Sequence, residues 1–218
     1  MLNLIKSFYR SHRIGSTSAK TLLWIWIKKD LSKIKGETGV DLAGGTMLNK
    51  RFFKTNKYVC VDIDKKKLDL GKNNNPEVIA INSKIQDYLN EYQQKKLDVL
   101  LCVQTMGANK FFEHDEILKV VTLMHGSLKI GGSMIFNIGK EVGNLDLDVM
   151  ENKLSIFLEG KFKHVDNKFY GLLHEANQRL LPRSILFSLA YLMNTLPPLR
   201  TLFGLKKDKL YYCCKDKQ

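Results

Sequence analysis

The sequence predicts an α/β fold: a mostly parallel sheet of seven strands, helices between the strands, and an antiparallel last strand. Three observations carry this. Short apolar runs recur over residues 38–42, 58–63, 78–82, 97–103 and 133–138. Most are apolar throughout rather than alternating, as strands buried on both faces are. Segments with helical periodicity or helix-favouring composition separate them through short connections, which is the pattern of right-handed crossovers between parallel strands.

The elements follow in order. Residues 1–16 are basic and mixed, with Lys6, Tyr9, Arg10, His12 and Arg13, and suit a short amphipathic helix with a turn at Gly15 and Ser16. From Thr17, the spacing of Leu22, Leu23, Trp26, Ile27, Leu31 and Ile34 predicts a helix, started by a cap among residues 16–18 and ended by Gly36. Trp24 and Trp26 cannot both face one core, and plain packing is the simpler role for each. After the strand at 38–42 and a glycine turn, a helix is expected over 47–54. A helix over 65–72 then leads to a loop at Asn73, Asn74, Asn75 and Pro76. Helices over 84–95 and 112–128 flank the fourth strand. Leu128, Lys129, Ile130, Gly131 and Gly132 read as a helix end with glycine past it, ahead of a fifth strand at 133–138. The last third departs from this rhythm. A helix over 146–159, a strand over 163–170, an apolar helical insertion over 180–204 and a closing strand over 210–214 would make the sheet mixed.

Composition narrows the function classes. The 218 residues carry 35 Lys and Arg against 22 Asp and Glu, a net charge of +13. Such an excess favours anionic partners, although scattered lysines more often form a solvated face. Cys60, Cys102, Cys213 and Cys214 lie in strand-like runs without a C-x-x-C pair, which disfavours zinc and disulfide-exchange chemistry and suits buried, reduced thiols. Charges interrupt every apolar run at the N-terminus, and no run of about 18 apolar residues occurs. A cytoplasmic protein is the expectation, with the inner membrane surface as its variant.

The stretch Gly39-Val40-Asp41-Leu42-Ala43-Gly44-Gly45-Thr46 carries the first chemical signal. An acidic residue near a strand end is followed by two glycines, which let backbone turn tightly and approach a ligand. The second is Val61-Asp62-Ile63-Asp64. A carboxylate at the end of the next parallel strand can accept from both hydroxyls of a ribose. Together they describe a nucleoside site at the carboxyl end of a sheet.

In this order and spacing the motifs resemble those of class I S-adenosylmethionine-dependent methyltransferases. The likeness covers roughly residues 38–140. The glycine stretch resembles the family's first motif, and Val61 to Asp64 its acidic second strand end. Asn82-Ser83 stands where the family meets adenine. Leu97-Asp98-Val99-Leu100-Leu101-Cys102-Val103-Gln104 resembles the fourth strand, and the run from Leu128 to Phe136 the approach to the fifth. Two positions depart: Ala43 replaces the first glycine, and Ile130 stands where proline is usual. The resemblance implies a Rossmann-like three-layer sandwich with S-adenosylmethionine as cofactor. It places the methionine part over Ala43, Gly44 and Gly45, with Asp41 orienting that loop or meeting the ammonium. Asp62 would hold the ribose, Ile63 cover the adenine, Asn82 or Ser83 meet its edge, and Gln104 line the pocket beneath the sulfonium. One domain is expected: a helical cap over 1–36, a cofactor core over 37–140 and an acceptor side over 141–218.

Methyl transfer from a sulfonium depends mainly on proximity and alignment, with a base needed for a hydroxyl acceptor. His12, His114 and His174 are the base candidates; His12 could instead hold a phosphate. Phe169-Tyr170-Gly171 followed by the apolar insertion resembles methyltransferases of cell-surface glycan synthesis, which implies a small-molecule or glycan-type acceptor, an anionic one given the charge. The insertion reads as a lid, a dimer contact or a peripheral membrane surface, a lid packed on the domain being the commoner outcome. Two alternatives stand beside this reading. A nicotinamide-dependent oxidoreductase shares the acidic second strand but needs a glycine where Leu48 sits. A non-catalytic nucleic-acid- or membrane-binding protein would account for the charge. Base methylation of nucleic acid is disfavoured, because Val103-Gln104-Thr105-Met106 replaces the Asn-Pro-Pro-Tyr type of motif.

Overall fold

The computed structural model describes residues 18–92, 97–106, 114–138, 147–170, 183–202 and 209–215. The elements run α1 (Ser18–Leu31), β1 (Gly36–Leu42), a 3₁₀ turn (Lys50–Phe52), β2 (Thr55–Asp62), α2 (Lys65–Asn74), β3 (Ile79–Asn82), α3 (Ile85–Tyr92), β4 (Leu97–Cys102), α4 (His114–Ser127), β5 (Leu128–Asn137), α5 (Leu147–Lys161), β6 (Phe162–Phe169), α6 (Arg183–Thr195), α7 (Pro197–Leu202) and β7 (Lys209–Lys215). The expected segment over 1–16, with His12, lies outside the described residues, as does His174.

Seven strands form one sheet in the order β3-β2-β1-β4-β5-β7-β6. The pairs β1–β2, β1–β4, β2–β3 and β4–β5 are parallel. The last strands are antiparallel, so the sheet is mixed, as the sequence predicts. β4 is buried along its whole length, and Val40, Leu42, Val59, Val61, Leu100 and Cys102 belong to one core with Met134 and Phe136 of β5. That core explains the continuous apolar runs. β3 is the edge strand of this half and is mostly exposed. At the other end, Phe136 stacks on Tyr211 with ring centroids 4.9 Å apart, which ties β7 to β5.

The chain divides into two compact units. Asp30–Asp166 with Tyr211–Gln218 form one, and Met1–Lys29 with Asn167–Leu210 form the other. Within the second, Leu22 packs with Ile25, Trp26, Tyr170 and Tyr191. The Trp26 indole donates to the Phe169 carbonyl at 2.9 Å, and Trp24 is buried. Both tryptophans pack, on different sides of α1. The Arg200 guanidinium lies 3.6 Å from the Phe169 ring centroid.

Three local expectations are corrected. Gly36 does not end α1, which stops at Leu31; Gly36 opens β1, where an added Cβ would sit 2.3 Å from an Asp98 carboxylate oxygen. Residues 47–54 form turns and one short 3₁₀ segment instead of a helix, because Met47 takes a left-handed φ of 64°. β5 starts at Leu128, directly after α4, because Leu128 pairs with Leu97. The next paired positions are Val99 and Ser133, so the extra residues bulge, with Gly131 at φ 77°.

Candidate functional site

β1 and β2 are neighbours in register, with Asp41 opposite Cys60 and Leu42 opposite Val61. Their carboxyl ends therefore open side by side, and the turn after β1 crosses toward β2. Ala43 and Gly45 both take left-handed φ angles, 54° and 52°. For alanine that conformation is strained; for glycine it is free. The Gly44 amide donates to the Val61 carbonyl at 3.3 Å, and the Met47 amide returns to the Gly44 carbonyl at 2.9 Å. Gly44 has no room for a side chain. A Cβ there would lie 2.7 Å from both Asp41 Oδ2 and Cys60 Sγ.

Asp62 ends β2 and is 9% exposed. One carboxylate oxygen accepts the Gly45 amide at 2.9 Å, and the other accepts the Asp64 amide at 2.8 Å. Each oxygen keeps a second lone-pair direction for a ligand hydroxyl. Ile63, the next residue, is 62% exposed. Asp64 then caps α2, its side chain accepting from the Lys67 amide at 3.2 Å. The Asn82 amide donates to the Asp62 and Ile63 carbonyls at 3.0 and 2.9 Å. The Ser83 amide also reaches the Asp62 carbonyl, at 3.2 Å, while its hydroxyl donates to Lys84. The Asn82–Ser83 pair thus braces the Asp62–Ile63 corner.

Asp41 is placed differently. It is 1% exposed and lies beneath the turn. Its Oδ2 accepts the Tyr58 hydroxyl at 2.7 Å and the Asn49 amide at 3.2 Å. Burial pushes its carboxyl up to about 7, against the two hydrogen bonds, which pull it down. In this geometry the Asp41 carboxylate supports the turn from below through Tyr58 and Asn49. Burial also pushes the Cys60 thiol up and the Cys102 thiol up to about 12, so neither is a ready nucleophile.

Gln104 follows β4, with an exposed side chain and a left-handed φ of 58°. Its amide donates to Asn137 Oδ1 at 2.7 Å. Asn137 ends β5 and is buried. Residue by residue, the structure brings Ala43, Gly44, Gly45, Asp62, Ile63, Asn82 and Ser83 to one corner, with Asp41 below. Gln104 stands at the end of β4, on the other side of β1 from β2. His114 is the first residue of α4. Sequence reasoning missed Tyr58, Asn49 and Asn137. Tyr58, Cys60 and Asp62 alternate along β2, so a period-two reading would have put all three on one face. Asn137 is a polar residue closing an apolar strand.

No family model matches the chain, and no curated protein matches it. Solved structures do. One is a SAM-dependent methyltransferase from Archaeoglobus fulgidus, 12% identical, with a TM-score of 0.59 over 95% of this chain and 99% of that one. The chain shares the Rossmann-like fold of this structure. A second is the N-methyltransferase NodS from Bradyrhizobium japonicum in complex with S-adenosyl-L-homocysteine, 8% identical, with a TM-score of 0.60 over 94% of this chain and 91% of that one. A third is an rRNA methylase from Streptococcus thermophilus, 11% identical, with a TM-score of 0.53 over 90% and 96%. At these identities the likeness is one of fold, which hosts more than one acceptor chemistry, so function has to be argued from the site.

Proposed function

We propose that this chain is a methyltransferase that uses S-adenosylmethionine and acts on a small-molecule or glycan-type acceptor. The observation that carries the reading is the corner at Asp62: a carboxylate at the end of β2, tied to the Gly45 amide, beside an exposed Ile63. The residues fit the group. Asp62 offers free lone pairs to a ribose diol, and such charge-assisted bonds are strong. Ile63 offers an apolar face to an adenine. The turn brings bare backbone close to a ligand at Gly44 and Gly45. Asn82 and Ser83 support that corner, and Gln104 lines the neighbouring strand end. The cofactor, when bound, supplies an activated methyl group; this chain's residues bind and align it.

In the unit that contains α6 and α7, Ile185, Leu192, Leu196 and Leu202 are exposed, which suits a peripheral contact with a membrane surface. Among the described residues no helix is long and apolar enough to cross a membrane.

Titration calorimetry of the purified protein with S-adenosylmethionine and with NADH, on wild type and Asp62→Ala, tests the reading. Micromolar binding of S-adenosylmethionine that the substitution removes supports it. Binding of NADH alone would turn the protein into an oxidoreductase candidate. Silence from both ligands would favour a non-catalytic binding protein.

A further inference from the structure

We propose that Tyr58 and Asn49 are positioning residues for the turn 43–45, acting through the carboxylate of Asp41. The inference rests on the cofactor reading above. Three segments meet at this carboxylate: β1 supplies it, β2 supplies the Tyr58 hydroxyl at 2.7 Å, and the segment after the turn supplies the Asn49 amide at 3.2 Å. The turn rests on the same atoms, since a Gly44 Cβ would be 2.7 Å from Asp41 Oδ2. Moving the carboxylate moves the floor of the turn. Tyr58 is itself fixed: its ring meets Phe53 edge-on, centroids 4.9 Å apart.

The electrostatics add a direction. Among the described residues, the groups facing Asp41 are Tyr58, Cys60 and Asp62 from β2, Asn49 from the turn's exit and Cys102 from β4. None is a cation. A buried carboxylate without a cationic partner favours a positive group above it. A ligand with a cationic end above the turn would supply one, and would bind better once Asp41 is ionised. Tyr58 and Asn49 stabilise that ionised form by donating to it. Removing the Tyr58 hydroxyl then has two effects. The turn loses a support, and Asp41 ionises at a higher pH.

Calorimetry from pH 5.5 to 9 with S-adenosylmethionine and with adenosine, which lacks the cationic amino-acid end, separates this from general damage. Wild type, Tyr58→Phe and Asn49→Ala are compared, with melting temperatures measured alongside. For S-adenosylmethionine, Tyr58→Phe is expected to weaken binding about tenfold at pH 7 and to move the inflection of affinity to higher pH by roughly one unit. Adenosine affinity should change less than about threefold, within the spread of a neutral contact. Asn49→Ala repeats the pattern more weakly, and decides the matter if Tyr58→Phe does not fold. Equal losses for both ligands, or an unmoved inflection, overturn the positioning role and leave the cofactor reading intact. Wild type that binds neither ligand overturns the cofactor reading, and this inference with it.

Discussion

The Gly45 amide donates to the Asp62 carboxylate across 2.9 Å, so the end of β2 holds the turn that follows β1. One side chain thus shapes the loop and, in the proposed cofactor site, would also present acceptors to a ligand. Asp62→Ala should remove both functions. We expect S-adenosylmethionine affinity to fall at least a hundredfold, from two lost charge-assisted bonds of about 1.5–3 kcal/mol each. Asp62→Asn keeps the shape and one acceptor oxygen, and should retain part of the affinity in the same titration.

The turn holds an alanine where glycine would be freer and a glycine where nothing else fits. Ala43→Gly relieves a left-handed φ and should raise unfolding stability by about 0.5 kcal/mol, net of the entropy that glycine adds to the unfolded chain. Gly44→Ala forces a methyl onto Asp41 and Cys60 and should cost about 2–3 kcal/mol. Urea unfolding of the two variants checks the opposite signs.

Asp41 gives stability an unusual pH dependence. Its folded value of about 7 lies above the ordinary carboxylate value of 3.8, because of burial. Between those values the native state holds a proton that the unfolded chain releases. Stability from this group therefore falls as pH rises from about 4 to 7, by on the order of 3 kcal/mol in all. Asp41→Asn does not titrate. Its unfolding free energy should change less between pH 5 and pH 8 than that of wild type, as read by urea titrations at the two values.

Asp98 behaves in the opposite sense. It is buried at the start of β4, where its Oδ2 accepts the Glu37 and Thr38 amides at 3.0 and 2.9 Å, and Lys129 pairs with its other oxygen. Burial raises its carboxyl, but Lys129 and the two amides outweigh that and hold it below the usual value. The stability it contributes is present above its unfolded value and is lost as pH falls through the folded one. Asp98→Ala strands two amides and a lysine, and should cost about 2–4 kcal/mol in thermal or urea unfolding at pH 7.

Period and turn chemistry made the sheet half of this protein readable. The strands β1, β2, β4 and β5 were visible because burial in the middle of the sheet forces apolar composition along much of each, the edge strand β3 only by its short apolar run, and Asp41, Gly44, Gly45 and Asp62 were visible because each is the odd residue at the end of such a run. What stayed hidden depends on contacts between segments distant in sequence. Nothing near Met47 announces its left-handed φ, so 47–54 read as a helix. Leu128 looked like the end of α4 until its pairing with Leu97 made it a strand. Tyr58 looked like one more β-forming residue; only the approach of β1 gives its hydroxyl a partner. The place of β7 between β5 and β6 is likewise a matter of pairing.

That place has a consequence during synthesis. β6 leaves the ribosome before β7, yet in the finished sheet β7 lies between it and β5. A strand at 162–169 that formed before β7 would lack its neighbour, and unpaired strands recruit other chains. The sequence of β6, Phe-Lys-His-Val-Asp-Asn-Lys-Phe, sets Lys163, Asp166 and Lys168 along that waiting edge. Charges on an edge strand discourage pairing with a stranger. The polar character of β6, which contributes little to the core, would guard such an intermediate against pairing with other chains.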